Sequence, residues 1–147
     1  MYLLDTNIVS ELRRPKPHGA VVAWLESIED KELYLSAVTL GEIQAGIELT
    51  RDQNAQRAEE LETWLTMVTD SYNILAMDGA VFRIWAKLMH KHSNTQTLKH
   101  SNTLYEDAMI AATAHANKLT VVTRNVTDFE YFDVGIINPF EYRDNLK

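Results

Sequence analysis

The segments of this chain best suited to β-structure are short runs of adjacent apolar residues without polar–apolar alternation. They are Tyr2-Leu3-Leu4, Leu33-Tyr34-Leu35, Tyr72-Asn73-Ile74-Leu75, Leu119-Thr120-Val121-Val122-Thr123 and Val134-Gly135-Ile136-Ile137. A strand with one wet face alternates in polarity, whereas a strand covered on both faces does not. Helical spacing fills the intervals. Ile8, Val9 and Leu12 share a face before Pro15 and Pro17 stop the helix, and Val21, Trp24, Leu25 and Ile28 form a second stripe. Leu40, Ile43 and Ile47 follow within a helix over 36–49, then Ala58, Leu61, Leu65 and Val68, then Val81, Ile84, Trp85 and Leu88, and last an Ala-rich helix over 105–117. Buried strands interleaved with helices predict a three-layer α/β/α sandwich around a central parallel sheet, with right-handed crossovers. Residues 92–103 are polar and aperiodic and read as a loop.

With 147 residues, 46% of them hydrophobic, the chain can build one sizeable core. Residues 1–147 are expected to form a single domain, with an acidic helical segment near 52–72. No repeat or low-complexity tract interrupts it. The absence of cysteine excludes disulfides, thiolate catalysis and Cys-based zinc sites. No apolar run is long enough for a bilayer, and Met1-Tyr2-Leu3-Leu4-Asp5 has no signal-peptide character, so a cytoplasmic location without membrane contact is expected.

The net charge of −7 is unevenly spread. Residues 52–82 carry six acids and one Arg, whereas 83–103 carry Arg83, Lys87, Lys91 and Lys99 and no acid. Arg13, Arg14 and Lys16 form a second basic group. An acidic chain can still meet a polyanion through local basic patches or through a cation held on its own carboxylates.

In an open parallel sheet, ligands bind beyond the carboxyl ends of the strands. Asp5 follows the first strand there. Arg124, Asn125 and Asp128 follow the 119–123 strand, and Glu42 lies in the helix after the 33–35 strand. Asp107 shares a helix face with Ile110, Ala111 and Ala114, so it points where the apolar stripe points. Each acid also has a plain structural reading. Asp5 suits an N-cap. Thr39-Leu40-Gly41-Glu42 fits a capping box. Asp107 in a first turn would answer the helix dipole. Asp128 would open a turn before Phe129. The joint case differs, because four acids map to one edge of one sheet. Two carboxylates about 4 Å apart repel by roughly 4 kcal/mol at an effective dielectric near 20. Such a group takes up protons or a hard divalent cation, and oxygen-only ligands favour Mg²⁺ or Mn²⁺ over zinc or copper. An acidic cation site of this kind suits hydrolysis of a phosphodiester.

The segments Leu3-Leu4-Asp5-Thr6-Asn7, Leu35 to Glu42, Asp107 to Ala114, Thr123-Arg124-Asn125 and Asp128-Phe129 resemble, in order, the motifs of the PIN domain. Within it the chain is similar to VapC-type toxins of VapBC toxin–antitoxin modules, close to the FitB-like branch, over about residues 1–140. The resemblance implies a Mg²⁺- or Mn²⁺-dependent endoribonuclease with catalytic acids at Asp5, Glu42 and Asp107. Asp5 and Asp107 would bind the metal. Glu42 and Asp128 would complete the shell through water or orient the attacking water. Some members place an acid at the position of Asn125, so either Asp128 is the fourth acid or Asn125 holds a water in the shell. Thr6 matches a family hydroxyl that steadies the first Asp. Glu106 is expected to point elsewhere into solvent. A cognate VapB-type antitoxin, an RNA substrate, a homodimer and a higher toxin–antitoxin assembly on operator DNA are also implied.

Arg13, Arg14, Lys87, Lys91 and Lys99 are candidate phosphate contacts, with solvated surface as the competing reading. Residues 13–18 and 92–103 are the expected specificity loops. Two rival functions stand beside the nuclease. One is a weakly catalytic or non-catalytic partner of a DNA-binding antitoxin, acting in transcriptional autoregulation. The other is a phosphatase with an aspartyl nucleophile, disfavoured because Asn7 stands where such sites carry a second Asp. His18, His90, His92, His100 and His115 are expected in structural or surface roles, and Trp24, Trp64 and Trp85 in core or dimer contacts.

Overall fold

The computed structural model describes residues 1–92 and 102–144. Its five strands are β1 (Tyr2–Leu4), β2 (Leu33–Ser36), β3 (Asn73–Leu75), β4 (Thr120–Val122) and β5 (Ile136–Ile137). All neighbours pair in parallel, in the order β3-β2-β1-β4-β5. β1 lies at the centre, with Leu4 in register with Leu35 on one side and Val122 on the other.

The central strands are buried on both faces, as their unbroken apolar character predicts. Leu4, Leu35 and Val122 pack into one cluster with Ile8, Val9, Ile43, Ile47 and Leu61. Leu3 and Val121 turn the other way, onto Ala108, Ile110, Ala111 and Phe129. Leu3 and Leu4 are both 0% exposed, so truncating either to Ala would cost about 2–5 kcal/mol.

The helices are α1 (Thr6–Leu12), α2 (Gly19–Glu26), α3 (Ala37–Gln53), α4 (Ala55–Ser71), α5 (Gly79–His92), α6 (Asn102–Asn117) and α7 (Val126–Glu130). α3 runs longer than its apolar stripe suggested. It stops only at Asn54, whose extended backbone ends α3 and whose side chain caps Arg57 N–H at the start of α4. α6 begins three residues before the predicted start. α7 was not foreseen as a helix: at five residues it is too short to show a period, and its burial rests on Phe129 alone. The loop expected over 92–103 lies mostly outside the described residues, as do Lys99 and His100.

A parallel sheet gathers the carboxyl ends of its strands along one edge. Helices that follow those strands, and α6, which runs back into the start of β4, begin at that edge, so their first turns overhang it. This brings residues 5–10, 36–42, 102–107 and 123–128 near one another.

Candidate active site

Asp5 follows β1 directly and continues its ladder, its N–H donating to the Val122 carbonyl at 2.9 Å. It also caps α1, accepting from Thr6 N–H on Oδ1 at 2.8 Å. Capping therefore uses part of the Asp5 carboxylate and leaves the rest to other partners. Asp5 is only 5% exposed.

Two of the plain structural readings fail. α3 is capped by Ser36, whose hydroxyl accepts from Val38 N–H at 3.1 Å, so Thr39 is not an N-cap and Glu42 closes no capping box. Thr39 is instead fully buried and accepts from the Thr6 hydroxyl at 3.1 Å. α6 starts at Asn102, which places Asp107 in the second turn, with no acid in the first. Glu42 and Asp107 are thus each the sixth residue of their helices. Asp128 does sit in the first turn of α7 and is exposed.

Asp5, Thr6, Asn7, Ser10, Glu42, Glu106, Asp107 and Asn125 line one cleft of about 380 Å³. Glu106 faces this cleft and not open solvent, which corrects its expected placement. Asp128 stands outside the wall but close enough for its charge to act on Asp5 and Asp107. Asn125, the amide of the Thr-Arg-Asn motif, is in the wall itself.

Among the described residues, the electrostatics are those of acids without a counter-charge. Burial pushes Asp107 up to about 8, reinforced by the charges of Asp5, Asp128, Glu42 and Glu106. Glu42 is raised to about 7, first by burial and then by Glu106, with the Thr6 side chain pulling back. Asp5 is also raised by burial, opposed by hydrogen bonds from Thr123 and Thr6. Among the described residues no Lys or Arg forms an ion pair with any of these acids. Glu42 Oε1 is buried and accepts no hydrogen bond there.

An oxygen-only donor set and an orphaned buried carboxylate oxygen fit a hard divalent cation. Among the described residues no three acidic or imidazole groups already stand as a ligand cluster.

The hydroxyl that steadies Asp5 belongs to Thr123, which donates to Oδ2 at 2.8 Å, and not to Thr6. Asn7 Nδ2 reaches the same oxygen at 3.2 Å. Sequence reasoning missed Thr123, Asn7 and Glu106 in these roles. The available signal was register: if β1 and β4 are neighbours, the residues just beyond Leu4 and Val122 fall side by side.

The basic candidates are mostly exposed. Arg14 is tied to Glu11 at 3.3 Å, which lowers its availability for phosphate. Arg124 lies 4.7 Å from the Phe140 ring centre. His18 caps α2, and His115 Nε2 lies 2.7 Å from the Phe132 carbonyl, so both have structural roles. Trp24 is buried edge-on to Tyr2. Among the described residues no helix is long and apolar enough to cross a membrane.

Comparison with known proteins gives matches over nearly the whole chain. The family model for the PIN domain matches residues 2–134. Toxin FitB of Neisseria gonorrhoeae (strain ATCC 700825 / FA 1090) is 36% identical over 142 residues, covering 95% of this chain and 99% of the relative. VapC ribonuclease Y4jK of Sinorhizobium fredii (strain NBRC 101917 / NGR234) is 34% identical over 148 residues, covering 96% and 99%. The solved structure of FitAB bound to an IR36 DNA fragment superposes with a TM-score of 0.71 at 33% identity, covering 99% of each chain.

Proposed function

The chain belongs to the PIN-domain family, and from that membership we propose that it is the toxin of a type II toxin–antitoxin module, an endoribonuclease that hydrolyses RNA phosphodiester bonds with Mg²⁺ or Mn²⁺. The toxin and ribonuclease names of its relatives support the biological class. The observation that carries the chemistry is the cleft in which Asp5, Glu42, Asp107 and Glu106 meet, among the described residues, without a basic partner and with Glu42 Oε1 unbonded.

In this reading Asp5 and Asp107 hold the ion. Glu42 and Asp128 would complete the shell through water or orient the attacking water, and Asn125 offers an amide at the wall. Bound there, the ion stabilises charge developing on the phosphate and helps deprotonate water. The side chains orient the water and the RNA, and none needs to form a covalent bond. A cognate VapB-type antitoxin is the partner, with a homodimer as the toxin's own assembly and the cytoplasm as its location. The relative's FitAB–DNA complex favours one further role, participation in an antitoxin complex on operator DNA.

The test is to incubate the purified protein with total RNA, with and without Mg²⁺, and map the cut ends. Defined cuts that vanish with chelator, and fall at least about 100-fold in Asp5→Asn, are expected. Cleavage by Asp5→Asn at the wild-type rate removes Asp5 from the mechanism. No cleavage by the wild type under any metal leaves the partner role alone.

A further inference from the structure

The hydrogen bonds around Asp5 have a direction that can be worked out donor by donor. The turn after β4 supplies two backbone N–H groups whose orientation the chain fixes. Arg124 N–H donates to Asn7 Oδ1 at 3.4 Å, so the amide's oxygen faces that turn and its Nδ2 faces the other way. Nδ2 then lies 3.2 Å from Asp5 Oδ2 and 3.3 Å from Thr123 Oγ1. Asn125 N–H donates to Thr123 Oγ1 at 2.9 Å. The hydroxyl of Thr123, 0% exposed, therefore accepts from two donors, which occupy both of its lone pairs. Its single proton is left for Asp5 Oδ2, 2.8 Å away. With Thr6 N–H on Oδ1, three donors converge on Asp5 and none of them can reverse.

We infer that Thr123 and Asn7, ordered by the backbone N–H groups of Arg124 and Asn125, are positioning residues that hold Asp5 as an acceptor-only carboxylate with its remaining lone pair, on Oδ1, left for the cleft. Such partners fix the orientation of a ligating carboxylate and raise its affinity for a cation. The arrangement also gives the Asn at position 125 a use that needs only its main chain. The inference rests on the divalent-ion reading above.

Mn²⁺ binding to the full chain, followed by the loss of the free-ion electron paramagnetic resonance signal, tests it without recourse to activity. The wild type and Thr123→Ser, which keeps the hydroxyl, are expected to bind within about twofold of each other. Thr123→Val and Asn7→Ala are expected to bind roughly 10- to 100-fold more weakly. Wild-type affinity in Thr123→Val overturns the inference, as does an equal loss in Thr123→Ser. Should Thr123→Val fail to fold, Asn7→Ala decides by the same criterion, because its side chain is only half-buried. A wild type that binds no Mn²⁺ overturns the ion reading itself, and this inference with it.

Discussion

Glu42 and Glu48 lie on the same helix, α3, and their environments drive them in opposite directions. Glu48 sits in a cluster with Arg51 at 3.3 Å, and the same guanidinium reaches Glu59 at 2.6 Å and Glu62 at 2.8 Å on α4. Hydrogen bonds from Arg51 and Gln44 hold the Glu48 carboxyl below its ordinary value. Glu42, one and two-thirds turns earlier, faces other acids and, among the described residues, no cation, and is raised to about 7. The acidic count in the two clusters is similar, so count alone does not mark a functional site. What separates them is the counter-charge: the α3–α4 cluster already holds its cation as Arg51, whereas the described residues of the cleft offer a cation only oxygen ligands.

That contrast can be broken by pH. Folded, Glu42 and Asp107 hold protons up to about 7 and about 8, against ordinary values of 4.5 and 3.8. The folded chain thus binds more protons than the unfolded one between those limits. The contribution of these two carboxyls to the stability of the metal-free fold is therefore fully present below about pH 4 and is lost as pH rises to about 8, by several kcal/mol once their partial exposure is allowed for. Thermal melting across this range checks it. Asp107→Asn should flatten the profile and raise Tm at pH 8 by roughly 5 °C. A drop in Tm for that variant would make Asp107 a structural acid with a partner.

The smaller effect lies in the other cluster. Arg51→Ala should lower Tm only slightly, with a loss that high salt already produces in the wild type, because those pairs are largely exposed. A large, salt-insensitive loss would mean that the α3–α4 cluster holds the fold in a way its exposure does not suggest.

The layered sheet was legible because burial on both faces leaves an unmistakable mark: Leu3-Leu4 and Val121-Val122 cannot be half-wet strands. Asp5, Glu42 and Asp107 could be picked out because parallel topology fixes which strand ends and helix starts share an edge. The finer assignments failed where they depended on rotation or register. Glu106 was placed one step around α6 from Asp107 and set in solvent, yet an early helical turn overhanging a cleft presents two adjacent residues to it. The resemblance assigns the supporting hydroxyl to Thr6, while the bond comes from Thr123, 118 residues from Asp5 in the chain but beside it in the sheet. α7 escaped notice because one turn of helix has no period to read.

The most direct measurement of the central claim is thermal stability of the metal-free protein at pH 8 as Mg²⁺ or Mn²⁺ is added. A cleft that grips a hard ion predicts a saturable rise, worth about 2.7 kcal/mol at a hundred times Kd, that is lost in Asp5→Asn. A Tm indifferent to either ion, or an equal rise in Asp5→Asn, would contradict it.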